Sequence, residues 1–223
     1  PLALVDAASL TAIRTAAASG AATRVLARTD ASSLALLGYG VQATSHLEAM
    51  RSVRPIRQVS VWGPHPEKAE AFAAEHDAEG LSVRAVASAT AAVEDADLIC
   101  AVSASPTPII RGDDLKPGCH VNLVGAHSPS TREADTETLK RARVFTEITE
   151  FALAEAGDLL LAIEDGAITL EHIAGEIGSV FSGEIAGREH DDQITLYKNL
   201  GNVAQDLAAA HHVYAANGPL VVD

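Results

Sequence analysis

The sequence is poor in cysteine and in basic residues, and it lacks any long apolar run. Its two cysteines, Cys100 and Cys119, each lie in an apolar run typical of a strand, which excludes a disulfide framework and predicts buried thiols. The chain has 16 Lys and Arg residues and 30 Asp and Glu residues, which gives a net charge of −14. This charge disfavours nucleic-acid binding, because binding to phosphates requires clustered cations. No apolar run approaches the about 20 residues of a membrane span, and no signal-peptide pattern is present. We therefore expect no membrane association and a cytoplasmic location.

Several catalytic motifs are also absent. His211 and His212 are adjacent and point to different faces of a helix, and no His-x-x-x-His pattern with a carboxylate occurs, so we predict no metal site. The Gly-x-Ser-x-Gly string of serine hydrolases is missing as well. The chain has 223 residues, of which 48% are hydrophobic, and this is enough to bury a sizeable core.

The most informative stretch that is present covers residues 34–50. An apolar run of strand length is followed by two glycines, and apolar residues then recur at helical spacing. In a strand, turn and helix of this kind, the first glycine permits the turn, the second lets backbone approach a diphosphate, and a small residue lets the helix pack on the strand. The pattern predicts a dinucleotide-binding loop made of Gly38, Gly40, Val41, Gln42 and Ala43. An ordinary glycine turn is the alternative interpretation of the same string.

The rest of the chain alternates between strand and helix patterns. Strands are predicted at residues 58–62, 82–87, 97–102, 120–125 and 143–146, and helices at residues 10–27, 66–75, 89–94 and 136–141. Ser9 and Asp135 are the predicted N-caps of the first and last of these helices. The first helix has an apolar face, and its small residues 16–22 allow another helix to approach closely. Short connections and fully apolar strands predict an α/β fold with a doubly wound parallel sheet, in which strand 82–87 lies at an edge.

Several short motifs follow one another in a fixed order, at residues 14–19, 38–43, 117–125, 132–133, 155–158, 194–201 and 205–210. Together they resemble the ornithine cyclodeaminase and mu-crystallin family. The resemblance covers essentially the whole chain, and it raises the expectation that the glycine loop binds a dinucleotide.

The resemblance implies a Rossmann domain at residues 31–190 that binds NAD or NADP. Residues 1–30 would be the remnant of a substrate and dimerisation domain, to which a C-terminal helix in residues 191–223 returns. The sequence begins without Met, in what looks like the middle of a strand, so we expect that an N-terminal portion is missing. A homodimer is implied as well.

The implied activity is that of an NAD(P)-dependent oxidoreductase acting on a small amino, imino or 2-oxo acid, of the ketimine reductase or alanine dehydrogenase type. Two alternatives stay open. One is an ornithine cyclodeaminase that forms proline with NAD, and the other is a mu-crystallin-like protein that binds cofactor and a small acid with little turnover.

The family pattern also implies the residues that carry out the chemistry. Arg14 would bind the substrate carboxylate, since a guanidinium presents planar, paired donors. The family has an Asp two residues after a strand-ending glycine, whereas this chain has His127 two residues after Gly125. A His transfers protons near neutral pH but does not supply a carboxylate's charge to a cationic iminium. His127 therefore disfavours ornithine cyclisation and favours a reductase in which it donates a proton. We expect Asp206 to pair with a basic residue.

The choice of cofactor is less clearly marked. An NAD-binding domain usually has an acidic residue at the end of its second strand, but residues 62–65 contain none. We predict NAD or NADP, with a slight preference for NADP, and His65 or Lys68 as candidates to face its 2′-phosphate. The resemblance assigns contacts near the nicotinamide and its ribose to Ser103, Ser105 and Asn199.

Overall fold

The computed structural model of the chain describes residues 4–217, which form one parallel sheet and its surrounding helices. The strands are β1 Ser33–Leu37, β2 Gln58–Trp62, β3 Ser82–Ala85, β4 Leu98–Ala101, β5 His120–Leu123, β6 Arg143–Thr146, β7 Ile173–Glu176 and β8 Thr195–Lys198. The helices are α1 Ala7–Leu26, α2 Val41–Val53, α3 Pro66–His76, α4 Ala89–Val93, α5 Thr136–Arg141, α6 Thr149–Glu155, α7 Gly157–Glu164, α8 Ile177–Ser182 and α9 Val203–Asn217.

The strand order is β3-β2-β1-β4-β5-β8-β6-β7, and every pair is parallel. Alternate residues of β1 enter different core clusters: Leu34 and Leu36 pack on one face of the sheet, and Ala35 and Leu37 on the other. Both faces are therefore covered, as the predicted doubly wound sheet requires, and β3 lies at the predicted edge. The order reverses between β1 and β4, and ligands of such folds bind beside that point, at the carboxyl ends of the strands.

Two strands were not predicted. β8 inserts between β5 and β6, and β7 forms the second edge. In β7, Gly175 has a φ of +147° beside a register shift, and β8 buries the polar residues Thr195 and Lys198, so neither strand shows the apolar run that predicts a buried strand. Residues 195–198 thus lie within the sheet, and the predicted division of the chain into domains stays a prediction.

The start of α1 differs from the prediction. The helix begins at Ala7 and its N-cap is Asp6, whose carboxylate accepts a hydrogen bond from the Ser9 N–H at 2.8 Å. Ser9 is therefore inside the first turn and is not the cap. The predicted close approach of a second helix is confirmed, because α1 packs on α2 at Gly20. The apolar face is not the buried one, however, since Ile13 is 54% exposed.

Other local predictions are confirmed. The Asp135 carboxylate caps α5 by accepting a hydrogen bond from the Thr138 N–H at 2.8 Å. Cys100 and Cys119 are buried free thiols, and burial raises their pKa values to about 12 and about 11. Among residues 4–217, no helix has the length and apolar character needed to cross a membrane.

Candidate active site

The glycine loop connects β1 to α2 at the point where the strand order reverses. Gly38 has a φ of +131°, and a Cβ at this position would lie 2.8 Å from the carbonyl oxygen of Val102. Only glycine fits such a turn without strain. Ala43 is fully buried in the core cluster beneath α2, where its small side chain lets the helix pack closely on the sheet.

The N-terminus of α2 is open to a ligand. Its N-cap is Gly40, no side chain caps the helix, and a Cβ on Gly40 would have no atom within 4 Å. Val41, the first residue of the helix, is 70% exposed. Free N–H groups and the positive end of the helix dipole favour an anion here, so this loop fits the diphosphate of a dinucleotide.

A cavity of about 560 Å³ lies next to this loop, and we call it the glycine-loop cavity. It is lined by residues 38–40, 62–65, 102–106 and Ile109. His65 is one of these lining residues, with an exposed imidazole whose Nδ1 is 3.8 Å from Oε1 of Glu67. No acidic residue lines this cavity, and neither does Lys68.

A second cavity of about 540 Å³, the Arg14 cavity, adjoins the first. It is lined by Thr11, Arg14, Thr15, Gln42, Val102, Ser103, Ala104, Val124, Gly125, His127, Glu155, Asn199 and Leu200. Residues 102–104 line both cavities, so the two lie side by side at the carboxyl edge of the sheet. The fold thus brings together Arg14, His127 and Asn199, which are far apart in the sequence.

The orientation of His127 leaves one ring nitrogen available. Its Nδ1 is 2.9 Å from the carbonyl oxygen of Gly125 and donates a hydrogen bond to it. In the neutral ring the proton therefore resides on Nδ1, and Nε2 has a free lone pair. His127 is an exposed residue that lines the Arg14 cavity, so this nitrogen is accessible to a proton donor or acceptor there.

Arg14 has protein partners on two of its three nitrogens. Nε lies 3.1 Å from Oδ1 of Asp206, which confirms that Asp206 pairs with a basic residue, and Nη1 donates to Oε1 of Gln205 at 3.5 Å. Nη2 has no hydrogen-bond partner among residues 4–217. Gly201, with a φ of +84°, lies against the guanidinium, where any Cβ would collide with it. Nη2 is thus left as a donor without a protein acceptor within residues 4–217, on a side chain that lines the cavity.

A second carboxylate near Arg14 was not predicted. Glu147 follows β6; burial raises its pKa, whereas the Gly201 N–H and the charge of Arg14 oppose that shift. Gln205 donates a hydrogen bond to Glu147, as does the hydroxyl of Tyr197, whose own pKa is raised by burial. Tyr197 and Gln205 lie in motifs 194–201 and 205–210, whereas Glu147, which directly follows β6, lies in none of the motifs.

Some polar side-chain groups around the cavities have hydrogen-bond partners in the protein, and others do not. Asn199 is buried and its Nδ2 donates to the Thr15 carbonyl at 3.0 Å and to Ser19 Oγ at 3.1 Å, but its Oδ1 has no hydrogen-bond partner within residues 4–217. That free acceptor fits an N–H group of the nicotinamide carboxamide. By contrast, the hydroxyls of Ser103 and Ser105 donate to Glu133 and to the Thr107 carbonyl, so neither hydroxyl is free to donate to a ribose.

Two further observations complete the site. Glu155, which the sequence analysis did not select as a site residue, is among the residues that line the Arg14 cavity. Within the described part of the chain, no three His, Cys, Asp or Glu side chains are grouped so as to hold a metal ion.

Comparison with known families identifies relatives across nearly the whole chain. The family described as ornithine cyclodeaminase/mu-crystallin matches residues 1–217. The ketimine reductase mu-crystallin of Mus musculus is 39% identical over 213 residues, which cover 96% of this chain and 64% of that protein.

Two solved structures are also similar. The Thermococcus litoralis Delta(1)-pyrroline-2-carboxylate reductase in complex with NADH and L-proline superposes with a TM-score of 0.90 and 34% identity, covering 93% of this chain and 64% of that one. An archaeal alanine dehydrogenase dimer with bound NAD gives a TM-score of 0.89 and 33% identity, covering 96% and 66%. The chain thus spans about two thirds of the length of each of these relatives.

Proposed function

The chain belongs to the ornithine cyclodeaminase/mu-crystallin family, and we propose that it is an NAD(P)-dependent oxidoreductase that reduces a small imino acid to an amino acid. The observation that carries this proposal is that the two cavities share residues 102–104, which places the dinucleotide-type glycine loop beside the cavity lined by Arg14 and His127. The reductase and dehydrogenase names of the relatives support the same activity.

In this proposal the glycine-loop cavity and the Arg14 cavity hold the two ends of one dinucleotide. Gly38, Gly40 and the first turn of α2 hold the diphosphate, with the N–H groups of Val41 and Gln42 as donors. His65 would face the adenosine end, and Oδ1 of Asn199 would accept a hydrogen bond from the nicotinamide carboxamide. When bound, the reduced nicotinamide supplies the hydride.

The protein binds and protonates the substrate. Arg14 binds the carboxylate through Nη2, the donor that Asp206 and Gln205 leave free. His127, protonated on Nε2, donates that proton to the imine nitrogen as the carbon accepts the hydride, so that the C=N bond becomes an amine. Glu155 lines the same cavity, where a negative charge would stabilise the positive charge that develops on the imine nitrogen as His127 protonates it.

We also propose that the protein accepts NADP. This preference is supported by the lining of the glycine-loop cavity, which contains His65 and no acidic side chain. A carboxylate at the end of β2 would repel a 2′-phosphate, whereas an imidazole accepts it. Dissociation constants for NADH and NADPH, measured by fluorescence, test this choice, and tighter binding of NADH would contradict it.

The activity is tested on the full-length protein by following the absorbance of NADPH and NADH with pyrroline-2-carboxylate, and with pyruvate plus ammonia or methylamine. Oxidation well above background supports the proposal. Cofactor binding without oxidation would favour a binding protein of the mu-crystallin type. Release of ammonia from ornithine with NAD⁺, with formation of proline, would instead show a cyclodeaminase and contradict the role given to His127.

We further propose a homodimer and a substrate domain formed by the chain ends. α1 and α9 pack on each other through Arg14 and Asp206, and α1 and α8 expose Ile13 and Phe181 around an apolar cavity. The archaeal alanine dehydrogenase is a dimer. Light scattering of the full-length protein tests the assembly, and a monomeric mass would contradict it.

A further inference from the structure

A buried carboxylate joins the two loops that flank the Arg14 cavity. Glu133 is fully buried, shortly before α5. Its Oε1 accepts hydrogen bonds from the N–H of Ser103 at 2.9 Å and from its hydroxyl at 2.7 Å, just after β4. Its Oε2 accepts from the N–H groups of Gly125 at 2.6 Å and Ala126 at 3.2 Å, just after β5. One side chain therefore holds together the ends of two neighbouring strands.

The peptide unit between Gly125 and Ala126 connects this carboxylate to His127. A trans peptide is planar, so its N–H and C=O groups point in opposite directions. The N–H of Ala126 donates to Glu133, and the carbonyl of Gly125 accepts the hydrogen bond from Nδ1 of His127. Glu133 and His127 thus lie at the two ends of one peptide dipole.

Two more buried side chains hold the other side of Ala126. Nζ of Lys198 donates to the Ala126 carbonyl at 2.5 Å and pairs with Oδ2 of Asp158 at 2.9 Å, and both side chains are 0% exposed. Oδ1 of Asp158 accepts hydrogen bonds from the N–H groups of Glu133 and Ala134. Both polar groups of Ala126 are therefore fixed from the protein interior.

The hydrogen bonds specify the ionised form of Glu133. Burial raises its pKa, and the hydroxyl of Ser103 and the charge of Lys198 oppose that shift. Three of the four contacts to its oxygens come from backbone N–H groups, which can only donate, and such hydrogen bonds are strongest to an ionised carboxylate. The carboxylate thus acts only as an acceptor, and it fixes the orientation of each peptide unit whose N–H group donates to it.

We propose that Glu133 is a positioning residue that fixes the ring tautomer of His127 through the Gly125–Ala126 peptide. The proposal rests on the proposed function, in which Nε2 of His127 exchanges a proton with the substrate. The tautomer of a histidine is set by the hydrogen bond of its other nitrogen. Because Glu133 holds the Gly125 carbonyl toward Nδ1, the proton of the neutral ring stays on Nδ1 and Nε2 serves the cavity.

The tautomer is measured without any reaction, by nitrogen NMR of the full chain labelled in histidine. The His127 signals are assigned by their loss in His127→Ala. In the wild type we expect a single tautomer with the proton on Nδ1. In Glu133→Gln the amide group faces N–H donors, the hold on the peptide is lost, and we expect a mixture of tautomers. An unchanged tautomer in this variant would overturn the proposal.

The matched control is Asp97→Asn. Asp97 is another buried carboxylate that accepts two backbone N–H groups and a serine hydroxyl, but it lies at the opposite edge of the sheet. We expect this variant to keep the His127 tautomer and the wild-type kcat. A change of tautomer in Asp97→Asn as large as in Glu133→Gln would show a general loss of structure and would also contradict the proposal.

Turnover gives a second, independent readout. Glu133→Gln should lower kcat by about 10- to 100-fold, as is typical of residues that orient a catalytic side chain, while dinucleotide affinity stays within about threefold. Combined with His127→Ala, it should lower kcat by no more than about a further threefold, because its effect passes through His127. Effects that multiply would assign Glu133 a merely structural role.

If Glu133→Gln does not fold, Glu133→Asp carries the same tests, since it keeps the charge but shortens the reach. A wild-type chain that reduces no imino acid contradicts the proposed function. The tautomer experiment then still decides the role of Glu133, because it needs neither substrate nor cofactor.

Discussion

The side of the sheet where the parallel strands begin, the amino edge, and the side where they end, the carboxyl edge, use similar hydrogen bonds to hold neighbouring strands together. At the amino edge, Oδ2 of Asp97 accepts from the N–H groups of Ser32 and Ser33 at 2.8 and 3.1 Å and from the Ser33 hydroxyl at 3.0 Å. At the carboxyl edge, Glu133 accepts from backbone N–H groups and the hydroxyl of Ser103. In both places a buried carboxylate ties together two parallel strands.

The electrostatic surroundings of the two carboxylates differ. Asp97 has Lys116 at 2.8 Å and Arg28 at 3.5 Å; burial alone would raise its pKa, but the hydrogen bonds from Lys116 and the backbone lower it to about 2. Glu133 has no cation in contact within residues 4–217, since Lys198 pairs with Asp158, and burial raises its pKa. The charge of Asp97, at the amino edge, is thus neutralised by nearby cations. The charge of Glu133, at the carboxyl edge that carries the cavities, is not, and such perturbed carboxylates are typical of functional sites.

The largest effect is expected at the carboxyl edge. His127→Ala should lower kcat by about 10²-fold, because it removes the proton donor. The free energy of unfolding should change by less than about 0.5 kcal/mol, since the side chain is exposed. Steady-state kinetics and urea unfolding measure the two quantities. A loss of kcat of only a few-fold would return His127 to the role of an ordinary loop residue.

Arg14 provides the next test of that edge. Arg14→Met should raise KM for the imino acid by about 10- to 100-fold, the worth of a hydrogen bond between charged groups. Arg24→Met is the matched control, since Arg24 is an exposed residue of the same helix, and it should leave KM unchanged. Equal effects of the two substitutions would rule out a carboxylate site at Arg14.

A substitution at the amino edge should change the stability of the fold and leave catalysis unaffected. Asp97 has a folded-state pKa below its usual 3.8, so between about pH 4 and pH 2 the unfolded chain binds more protons and stability falls as the pH is lowered. At pH 7, Asp97→Asn should cost about 2 kcal/mol of unfolding free energy. The difference from the wild type should vanish near pH 2, with kcat unchanged at pH 7. A constant difference across this window would contradict the ion-pair explanation.

The smallest effect is expected at the glycine loop. Gly40→Ala should weaken dinucleotide binding by about tenfold, because a methyl group enters the space through which the diphosphate approaches. The stability of the Gly40→Ala variant should stay near that of the wild type, since no protein atom lies within 4 Å of the added Cβ. Gly178→Ala, in α8 and with similar open space, is the control for affinity. Equal dinucleotide affinity in both variants would argue against the diphosphate cradle.

The sequence by itself determined the features that depend on local pattern. Six of the strands, the glycine loop, the Asp135 cap and the two buried thiols follow from residues close together in the chain. A helical or strand period, a glycine at a turn and a capping carboxylate each act over a few residues. The family resemblance added Arg14 and His127, since motifs in a fixed order identify a chain even when their contacts are unknown.

Only the tertiary structure decided how distant residues combine. The insertion of β8 between β5 and β6 places Lys198 beneath Ala126, and the packing of α9 on α1 brings Asp206 to Arg14. β7 contains a glycine and β8 ends in a lysine, so neither carries the apolar run that marks the other strands, and strand order is not encoded in any local period. The carboxylate of Glu133 and the imidazole of His127 therefore become parts of one site only when two parallel strands end side by side.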